Sequence, residues 1–349
     1  MQPRHFLSTL DRSSEELRRL AELALQFKAG GRGRIAGGPD LAGQLLGLLF
    51  FNPSVRTRVS CQGAMARLGG TAAALAAGSD TWSFEEREGV VMDGTTQEHV
   101  RELAPVLSGL CDAVGIRRAE KMSGGSGADS AGASWEELSR DSFLHAFAAR
   151  AGVPVLNLES NAHHPLQGLA DHATLLELLG EPRGQRYVLT WAWHPRALPV
   201  ATPHSQLLAA CDLGMRVTLL RPEGYDLAPE VLSAAAERAS AAGGGLEVTD
   251  DRSAALTGAR VVCAKSWGRL DAYGQAPELA RPDDGLRREW IVDESAMGLT
   301  EDAHFLHCLP IRRNVVATDG VLDSPRCEVA RQAANRLWTA AAVLADLLG

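Results

Sequence analysis

Hydrophobic and polar positions along the chain repeat with two different periods. Short runs rich in Leu, Val and Ile alternate with longer segments in which apolar residues recur at helical spacing. The first helical segment begins at the capping box Ser13-x-x-Glu16 and ends before Gly30. The apolar runs predict buried strands at 45–51, 113–117, 154–158, 187–193, 215–220, 260–265 and 304–309, with a shorter strand-like ALAA stretch at 74–77.

Helical segments lie between these runs, so strand and helix alternate along the chain. They are predicted at 57–68, 98–109, 135–150, 165–180, 203–212, 228–242 and 334–348. This alternation is typical of parallel sheets with helices on both faces, which is an α/β fold. The 349 residues suit two such domains, which we expect at 1–155 and 165–325. The Gly/Ser-rich stretch 119–135 predicts a mobile loop.

Composition narrows the classes of function. The formal net charge of −8 argues against nonspecific binding to nucleic acid or anionic membranes, so an anionic substrate would need a local group of arginines. The six cysteines lie far apart and form no CxxC pair, which is typical of a reduced intracellular protein. The N-terminus lacks the layout of a signal peptide, and no apolar run is long enough to span a membrane. We therefore expect a cytoplasmic protein.

The first motif that carries chemistry is Ser54-Val55-Arg56-Thr57-Arg58, which follows the first strand and opens a helix. Hydroxyl groups, free backbone amides at a helix start and two guanidinium groups together can form a cradle for an oxyanion. The alternative is a capped helix whose arginines point into solvent. A motif this short does not by itself decide between the two.

A second motif, His164-Pro165-Leu166-Gln167, follows a later predicted strand. Because His164 and Gln167 lie one helical turn apart, both can face the same cleft and donate to a carbonyl or amide. A surface histidine near a helix start is the plain alternative. The doublet with His163 does not favour a metal, since adjacent helical residues diverge and no further ligand is suitably spaced.

Two further motifs lie towards the C-terminus. Cys308 stands before Leu309-Pro310 in the segment HCLPIRRN, and it could be a nucleophile, a small buried hydrophobe or a source of backbone contacts. No nearby base along the chain favours the nucleophile. Asn335-Arg336, at the start of the last helix, could clamp an anion.

In this order and spacing, SxRTR, HPxQ and HCLP resemble the aspartate/ornithine carbamoyltransferase family over nearly the whole chain. The resemblance implies two doubly wound parallel-sheet domains, of which the first binds carbamoyl phosphate and the second binds the amino substrate. It also implies that a C-terminal helix, within 330–349, returns to complete the first domain. A homotrimer with active sites shared between subunits is expected on the same ground.

The family roles transfer onto matching positions of this chain. The implied catalytic residues are Arg56, Arg117 and His164, which would orient carbamoyl phosphate and stabilise the oxyanion and the departing phosphate. The implied carbamoyl-phosphate contacts are Ser54, Val55, Arg56, Thr57, Trp82, Arg117, His164, Pro165, Leu166, Gln167, Cys308, Leu309 and Arg336, with Trp82 donated by a neighbouring subunit. Because the donor is already activated, we expect neither a metal nor another cofactor.

A second set of positions bears on the amine acceptor. Lys265, in the sequence AKSWG, stands where ordinary ornithine carbamoyltransferases carry an SMG-containing loop, and this resembles the branch that acts on Nα-acylated ornithines. The implied acylornithine contacts are Glu159, His194, Lys265, Arg312 and Gln97, of which Arg312 suits the α-carboxylate.

Gln97 bears on the identity of the acyl group. Acetyl-type members carry Glu at this site and succinyl-type members carry Pro, and a neutral Gln would tolerate a succinyl carboxylate that Glu would repel. Together with Val316 and the spacing from Glu159 to His164, the resemblance favours N-succinylornithine as the acceptor, in arginine biosynthesis. N-acetylornithine is the alternative, and unmodified ornithine is less favoured.

Two other classes of protein are alternatives to a carbamoyltransferase, and each can be distinguished from it. A dinucleotide-binding oxidoreductase would carry GxGxxG after the first strand, but the nearest glycine pairs, at 31–33 and 125–127, lie before a strand and within the Gly/Ser-rich stretch. A binding paralogue that has lost transferase activity would keep the fold. A product assay with carbamoyl phosphate separates it from an active enzyme.

Overall fold

The computed structural model describes residues 3–31, 33–120 and 132–349. Contacts divide the chain into two compact units. Unit 1 comprises Met1–Ala119, Leu138–Leu169 and Asn335–Gly349, and unit 2 comprises Glu120–Glu137 and Ala170–Ala334. Most of the Gly/Ser-rich stretch predicted as a loop lies outside the described residues.

Strands and helices alternate through both units. The strands are β1 (Leu45–Phe50), β2 (Thr71–Ala76), β3 (Phe84–Glu85), β4 (Glu98–His99), β5 (Ala113–Arg117), β6 (Val155–Glu159), β7 (Arg186–Trp191), β8 (Arg216–Leu220), β9 (Gly245–Thr249), β10 (Val261–Lys265) and β11 (His304–Leu306). The helices are α1 (Ser14–Ala29), α2 (Val55–Leu68), α3 (Val100–Leu110), α4 (Trp135–Leu138), α5 (Ser142–Ala148), α6 (Pro165–Leu179), α7 (Ala201–Asp212), α8 (Pro229–Ala241), α9 (Arg252–Leu256), α10 (Pro277–Ala280), α11 (Leu286–Glu289), α12 (Glu294–Gly298), α13 (Asp319–Leu322) and α14 (Val329–Leu348).

The main sheet of unit 1 is parallel, in the order β2-β1-β5-β6. Strands β1, β5 and β6 are buried almost throughout, as their mostly apolar sequences require, whereas the edge strand β2 is only partly buried. On one face, α3 and α5 pack through residues such as Leu103, Phe143 and Phe147 against Val114 and Ile116. The predicted α/β class with parallel sheets is confirmed for this unit.

Two predicted helix starts in unit 1 have the expected chemistry. At α1 the Glu16 amide donates to Ser13 Oγ (3.2 Å) while the Ser13 amide donates to Glu16 Oε2 (2.9 Å), which confirms the capping box. Helix α2 begins at Val55, two residues before the predicted start, because Ser54 Oγ accepts from the Thr57 amide (3.3 Å) and caps it.

The continuous helix predicted at 135–150 is wrong. The structure breaks it into α4 and α5 at Asp141, which adopts a left-handed backbone (φ 45°). The buried Asp141 carboxylate accepts hydrogen bonds from the backbone of the loop after β6 instead of capping its own helix. A tertiary contact therefore overrides the helical spacing of the apolar residues.

The sheet of unit 2 is also parallel, in the order β11-β10-β7-β8-β9. The sequence patterns indicated every strand except β9, which lies at the sheet edge, is only partly buried and alternates polar with apolar residues. Strand β7 stops at Trp191, so Trp193 and His194 fall in the loop that follows. This loop later forms part of the candidate site.

The last helix belongs partly to each unit. Helix α14 begins at Val329, and its residues from Asn335 onward belong to unit 1, where Lys28 Nζ on α1 donates to Asn335 Oδ1 (2.8 Å). The expected return of the C-terminal helix to the first domain is confirmed. Among the described residues, no helix is both long and apolar enough to cross a membrane.

Gly214 offers a test of the packing of unit 2. Its φ is +67°, and a Cβ there would lie 2.4 Å from the backbone oxygen of Ala242. Gly258 has a similar φ of +71°, but its nearest neighbour would be 3.8 Å away. We expect Gly258→Ala to cost about 1–2 kcal/mol in backbone strain, and Gly214→Ala to cost about 1–3 kcal/mol more through overpacking. Thermal unfolding midpoints of the two variants measure the difference, and equal midpoints would contradict the clash.

Candidate active site

Three strands of unit 1 end side by side at one edge of the sheet. Arg117, the last residue of β5, is opposite Phe50 on β1 and Glu159 on β6. Ser54 follows β1 within four residues and caps α2. Because parallel strands share their carboxyl edge, residues far apart in sequence meet there, as expected for a ligand site in an open α/β sheet.

The start of α2 presents both polar side chains and free backbone amides. Ser54 Oγ lies 3.0 Å from Thr57 Oγ1, and Thr57 is fully buried. The exposed Val55 occupies the first helical position, where backbone N–H groups have no partner within the helix. The Arg58 guanidinium lies 4.9 Å from the centre of the Phe50 ring, which fixes it beside the end of β1.

Arg336 on α14 joins this cluster from the far end of the chain. Its Nη2 donates to Thr57 Oγ1 (2.6 Å) and lies 3.5 Å from His164 Nε2, while its Nε has no hydrogen-bond partner among the described residues. Burial is the main cause that lowers the pKa of Arg336 to about 10, with further lowering by Arg117 and Arg56. The guanidinium therefore remains charged at neutral pH in a buried position.

His164 is buried at the centre of the same group. Burial, followed by the positive charges of Arg336, Arg117 and Arg56, holds its pKa well below the ordinary value. The ring is therefore neutral at physiological pH. A neutral ring can donate a hydrogen bond to a carbonyl oxygen, but it is not suited to act as a general acid.

Glu159 lies within this cluster rather than apart from it. It forms an ion pair with Arg117, and its Oε2 lies 3.5 Å from His164 Nε2. Glu159 thus partly offsets the concentrated positive charge. The rest of the HPLQ motif, Pro165 to Gln167, forms the buried first turn of α6, where the Gln167 amide donates to the His164 carbonyl oxygen (2.9 Å).

Asp141 holds the loop that leads to His164, and sequence reasoning missed it. Its Oδ1 accepts from the Asn161 amide (2.8 Å) and from Asn161 Nδ2 (3.0 Å), while Oδ2 accepts from the Ala162 amide (3.3 Å). Burial raises the pKa of this carboxyl group against the lowering effect of these bonds. The one signal in the sequence was a charged residue on the apolar side of a predicted helix.

Trp82 and Gln97 are exposed in unit 1. The Gln97 amide donates to the Ser83 carbonyl oxygen (2.9 Å), so the segment that contains Gln97 lies beside the segment that contains Trp82. Within the described part of the chain, neither side chain forms a hydrogen bond or ion pair with the cluster of Arg117, His164 and Arg336. The structure does not bring these two predicted contacts to the buried arginines.

Unit 2 brings together two of the predicted acceptor contacts. Arg312 Nε donates to His194 Nε2 (3.0 Å), and His194 Nδ1 lies 2.9 Å from the Arg196 carbonyl oxygen. The Arg196 amide also lies 3.1 Å from His194 Nδ1, so the backbone of Arg196 holds this edge of the ring. Burial lowers the pKa of His194 to about 4, with Arg312 among the lesser causes, so the ring is neutral and orients the exposed Arg312.

Lys265, Cys308 and Leu309 also belong to unit 2. Lys265 is buried at the end of β10, with Nζ donating to the Ser266 carbonyl oxygen (2.8 Å). Cys308 is buried after β11, and Leu309 has a left-handed φ of 59° with its amide donating to His307 Nδ1 (2.8 Å). Non-glycine residues in this region are uncommon and cluster at functional sites. No group of three or more His, Cys, Asp or Glu in the described ranges could hold a metal ion.

The fold and these residues define an α/β protein with arginines and a neutral, buried histidine clustered at the carboxyl edge of a parallel sheet. Two family models match the chain: the carbamoyl-P binding domain of aspartate/ornithine carbamoyltransferases over residues 4–177, and their Asp/Orn binding domain over residues 200–347. The chain belongs to the aspartate/ornithine carbamoyltransferase family.

Individual relatives add detail. The N-acetylornithine carbamoyltransferase of Xanthomonas campestris pv. campestris is 42% identical over 353 aligned residues, which cover 100% of this chain and 99% of the relative. The N-succinylornithine carbamoyltransferase of Bacteroides thetaiotaomicron is 36% identical over 305, covering 86% of each chain. A solved structure with a TM-score of 0.91 and 41% identity, covering 99% of this chain and 100% of its own, is an N-acetyl-L-ornithine transcarbamylase variant. In it one glutamate is replaced by proline, and it is complexed with carbamyl phosphate and N-succinyl-L-norvaline.

Arg336→Met tests whether the cluster of Thr57, His164 and Arg336 in unit 1 binds an anion. The change removes the buried guanidinium but keeps an apolar stem, so we expect the Kd for inorganic phosphate to rise about tenfold or more, as charge-assisted hydrogen bonds are lost. Arg331→Met on the same helix is the matched control, because Arg331 is partly exposed and pairs with Glu328. Titration calorimetry measures both variants. Equal affinity in the wild type and in Arg336→Met would exclude Arg336 from the site.

The pKa of His194 predicts a pH dependence of stability. Its folded value of about 4 lies below the ordinary 6.5, so on acidification the unfolded chain takes up this proton before the folded chain does. The contribution to stability is therefore present above about pH 6.5 and is lost as the pH falls towards 4. We expect His194→Gln to lose less stability than the wild type across this window in urea titrations. Parallel pH profiles would contradict the prediction.

Proposed function

We propose that the protein transfers the carbamoyl group of carbamoyl phosphate to the side-chain amine of an Nα-acylated ornithine. The observation that carries the proposal is the convergence of Arg336, Arg117, Thr57 and neutral His164 at the start of α2. Within a carbamoyltransferase family, such a group of fixed donors suits a phosphate joined to a carbonyl group.

Different residues of unit 1 suit the phosphate group and the carbonyl group of carbamoyl phosphate. The amides at the start of α2, together with Ser54, Thr57 and Arg336, suit the phosphate oxygens. Arg117 and neutral His164 suit the carbonyl oxygen, where negative charge develops when the amine attacks. Fixed donors at that oxygen stabilise the transition state by several kcal/mol in a water-poor site, on the order of 3 for a single donor. The departing phosphate can itself take up the proton of the attacking amine.

The residues of unit 2 suit the acceptor. Arg312, oriented by neutral His194, presents a guanidinium that fits an α-carboxylate. Acylation removes the positive charge of the α-amine, so an acceptor of this kind needs no anionic partner there. Lys265 lies at the end of β10, in the region where ordinary family members grip a free α-amino acid.

Similarity supports N-acetylornithine as the first candidate acceptor. The N-acetylornithine relative is 42% identical over 100% of this chain, whereas the N-succinylornithine relative is 36% identical over 86% of it. This ranking differs from the sequence-based expectation, which favoured the succinyl compound. That expectation rested on a few positions, among them Gln97, Val316 and the spacing from Glu159 to His164, whereas the similarity is spread over the whole chain.

N-succinylornithine is the second candidate, and Gln97 is the observation that favours it. The side chain is neutral and exposed, so it brings no negative charge towards a succinyl carboxylate. The acetylornithine transcarbamylase variant that was complexed with N-succinyl-L-norvaline had lost a glutamate. We propose that Gln97 occupies the corresponding position.

We propose further that the active enzyme is a homotrimer, in which Trp82 reaches the site of a neighbouring subunit. Trp82 is 65% exposed, which is unusual for so large an apolar side chain in the absence of a partner. Val55, Val59 and Val91 are exposed in the same unit. Sedimentation of the purified protein measures the oligomeric state.

A product assay tests the proposed function. Purified protein would be given carbamoyl phosphate with N-acetylornithine, N-succinylornithine or ornithine, and the matching citrulline and the released phosphate would be measured. We expect turnover with at least one acylated ornithine and little with ornithine. Turnover of ornithine alone, or of none of the three, would overturn the proposal.

Gln97→Glu tests the role assigned to this position. A second carboxylate within a few Å of a succinyl carboxylate would cost on the order of 1 kcal/mol or more, enough to lower kcat/KM for N-succinylornithine about tenfold. The value for N-acetylornithine should stay the same or rise. Gln97→Ala, which is neutral, is the matched control and should leave the ratio of the two values nearly unchanged. A ratio unaffected by Gln97→Glu would place the selectivity elsewhere.

A further inference from the structure

Unit 2 contains an open cleft of about 830 Å³, here called the Trp193 cleft. It is lined by Trp193, Arg281, Asp284, Gly285, Arg287, Arg288, Ile291 and Asn314. Three of these residues are arginines and one is acidic, so the lining is strongly basic in a protein whose net charge is −8. None of the family motifs in the sequence includes Arg281, Arg287 or Arg288.

Two of the three arginines of the cleft lie against a single indole ring. The guanidinium carbon of Arg281 lies 5.9 Å from the centre of the Trp193 ring, and that of Arg287 lies 5.5 Å from it. Arg281 is already neutralised, because its Nη2 donates to both carboxylate oxygens of Asp284 at 2.6 and 2.8 Å. Arg287 and Arg288 form no ion pair with the described residues, so two positive charges of the cleft remain unbalanced.

A buried donor adds to these charges. Trp193 is 4% exposed, and its Nε1 has no hydrogen-bond partner among the described residues. A buried N–H without an acceptor is costly, and most such groups have one. An oxyanion in the cleft would provide an acceptor for this indole and a counter-charge for Arg287 and Arg288.

The cleft adjoins the predicted acceptor contacts within the same unit. Trp193 directly precedes His194, and Asn314 lies two residues after Arg312, while Arg312 and His194 are hydrogen-bonded to each other at 3.0 Å. A molecule whose α-carboxylate binds Arg312 therefore has the cleft beside it. The nearest substituent of such a molecule, on its α-nitrogen, is the acyl group.

We propose that the Trp193 cleft binds a second carboxylate, carried at the far end of the acyl group of the acceptor. The inference rests on the proposed function and deepens its second candidate, N-succinylornithine, because it assigns Arg287 and Arg288 as the residues that recognise an ornithine acylated by a dicarboxylic acid. An acetyl group has no charge to place there. Arg287 and Arg288 thus determine specificity by attracting the distal carboxylate.

A binding experiment tests the proposal independently of turnover. N-succinyl-L-norvaline and N-acetyl-L-norvaline differ in the distal carboxylate and lack the reacting amine. Their Kd values would be measured by calorimetry, in the presence of carbamoyl phosphate, for the wild type and for a double variant carrying Arg287→Gln and Arg288→Gln. We expect the double variant to bind the succinyl compound about tenfold more weakly and the acetyl compound within about twofold of the wild type, since only the former loses charge-assisted bonds.

Arg269→Gln is the matched control, because Arg269 pairs with Asp271 in the same unit and does not line the cleft. It should leave both Kd values unchanged. Equal weakening of both compounds in the double variant, or of neither, would overturn the assignment of the cleft. Turnover of N-acetylornithine by the same preparation would show that the proposed function stands even then. A different result would be weaker binding of the succinyl compound alone in the double variant, together with no turnover of any acylated ornithine by the wild type. That result would support the assignment of the cleft and overturn the proposed function.

Discussion

The guanidinium of Arg336 and the hydroxyl group of Thr57 form the contact on which the site of unit 1 depends. It joins residues 279 positions apart in the sequence, at 2.6 Å, and both side chains are buried. Burying a charge is costly unless it is paired or serves an anionic ligand. By returning to the start of α2, α14 therefore places the permanent charge of Arg336 beside the N-terminus of that helix.

The other polar residues of unit 1 limit the cost of that concentrated charge. Glu159 pairs with Arg117 and lies beside His164, and burial among the arginines keeps His164 neutral. Asp141 fixes the backbone of the loop before His164 at the expense of a left-handed residue and a broken helix. The result is a set of donors held in place before any ligand binds, as electrostatic catalysis requires.

Unit 2 also holds an arginine in place through a neutral histidine. Burial keeps His194 neutral, so its Nε2 can accept from Arg312 and orient that guanidinium. The adjoining Trp193 cleft concentrates further positive charge beside an indole. Both units thus place arginines in a protein of net negative charge, where local geometry rather than the overall field attracts anions.

The sequence by itself determined the α/β class, the parallel sheets, the capping box at Ser13 and the motifs of the family, because these follow from short-range periodicity and from residue types at fixed spacing. It also indicated Ser54, His164 and Arg336 through their positions after strands or at helix starts, and Arg117 through the resemblance to the family. Only the tertiary structure decided the break at Asp141, the partner of Glu159 and the contact of His194 with Arg312. Each of these depends on groups that folding brings together from distant parts of the chain, and no local pattern records such contacts.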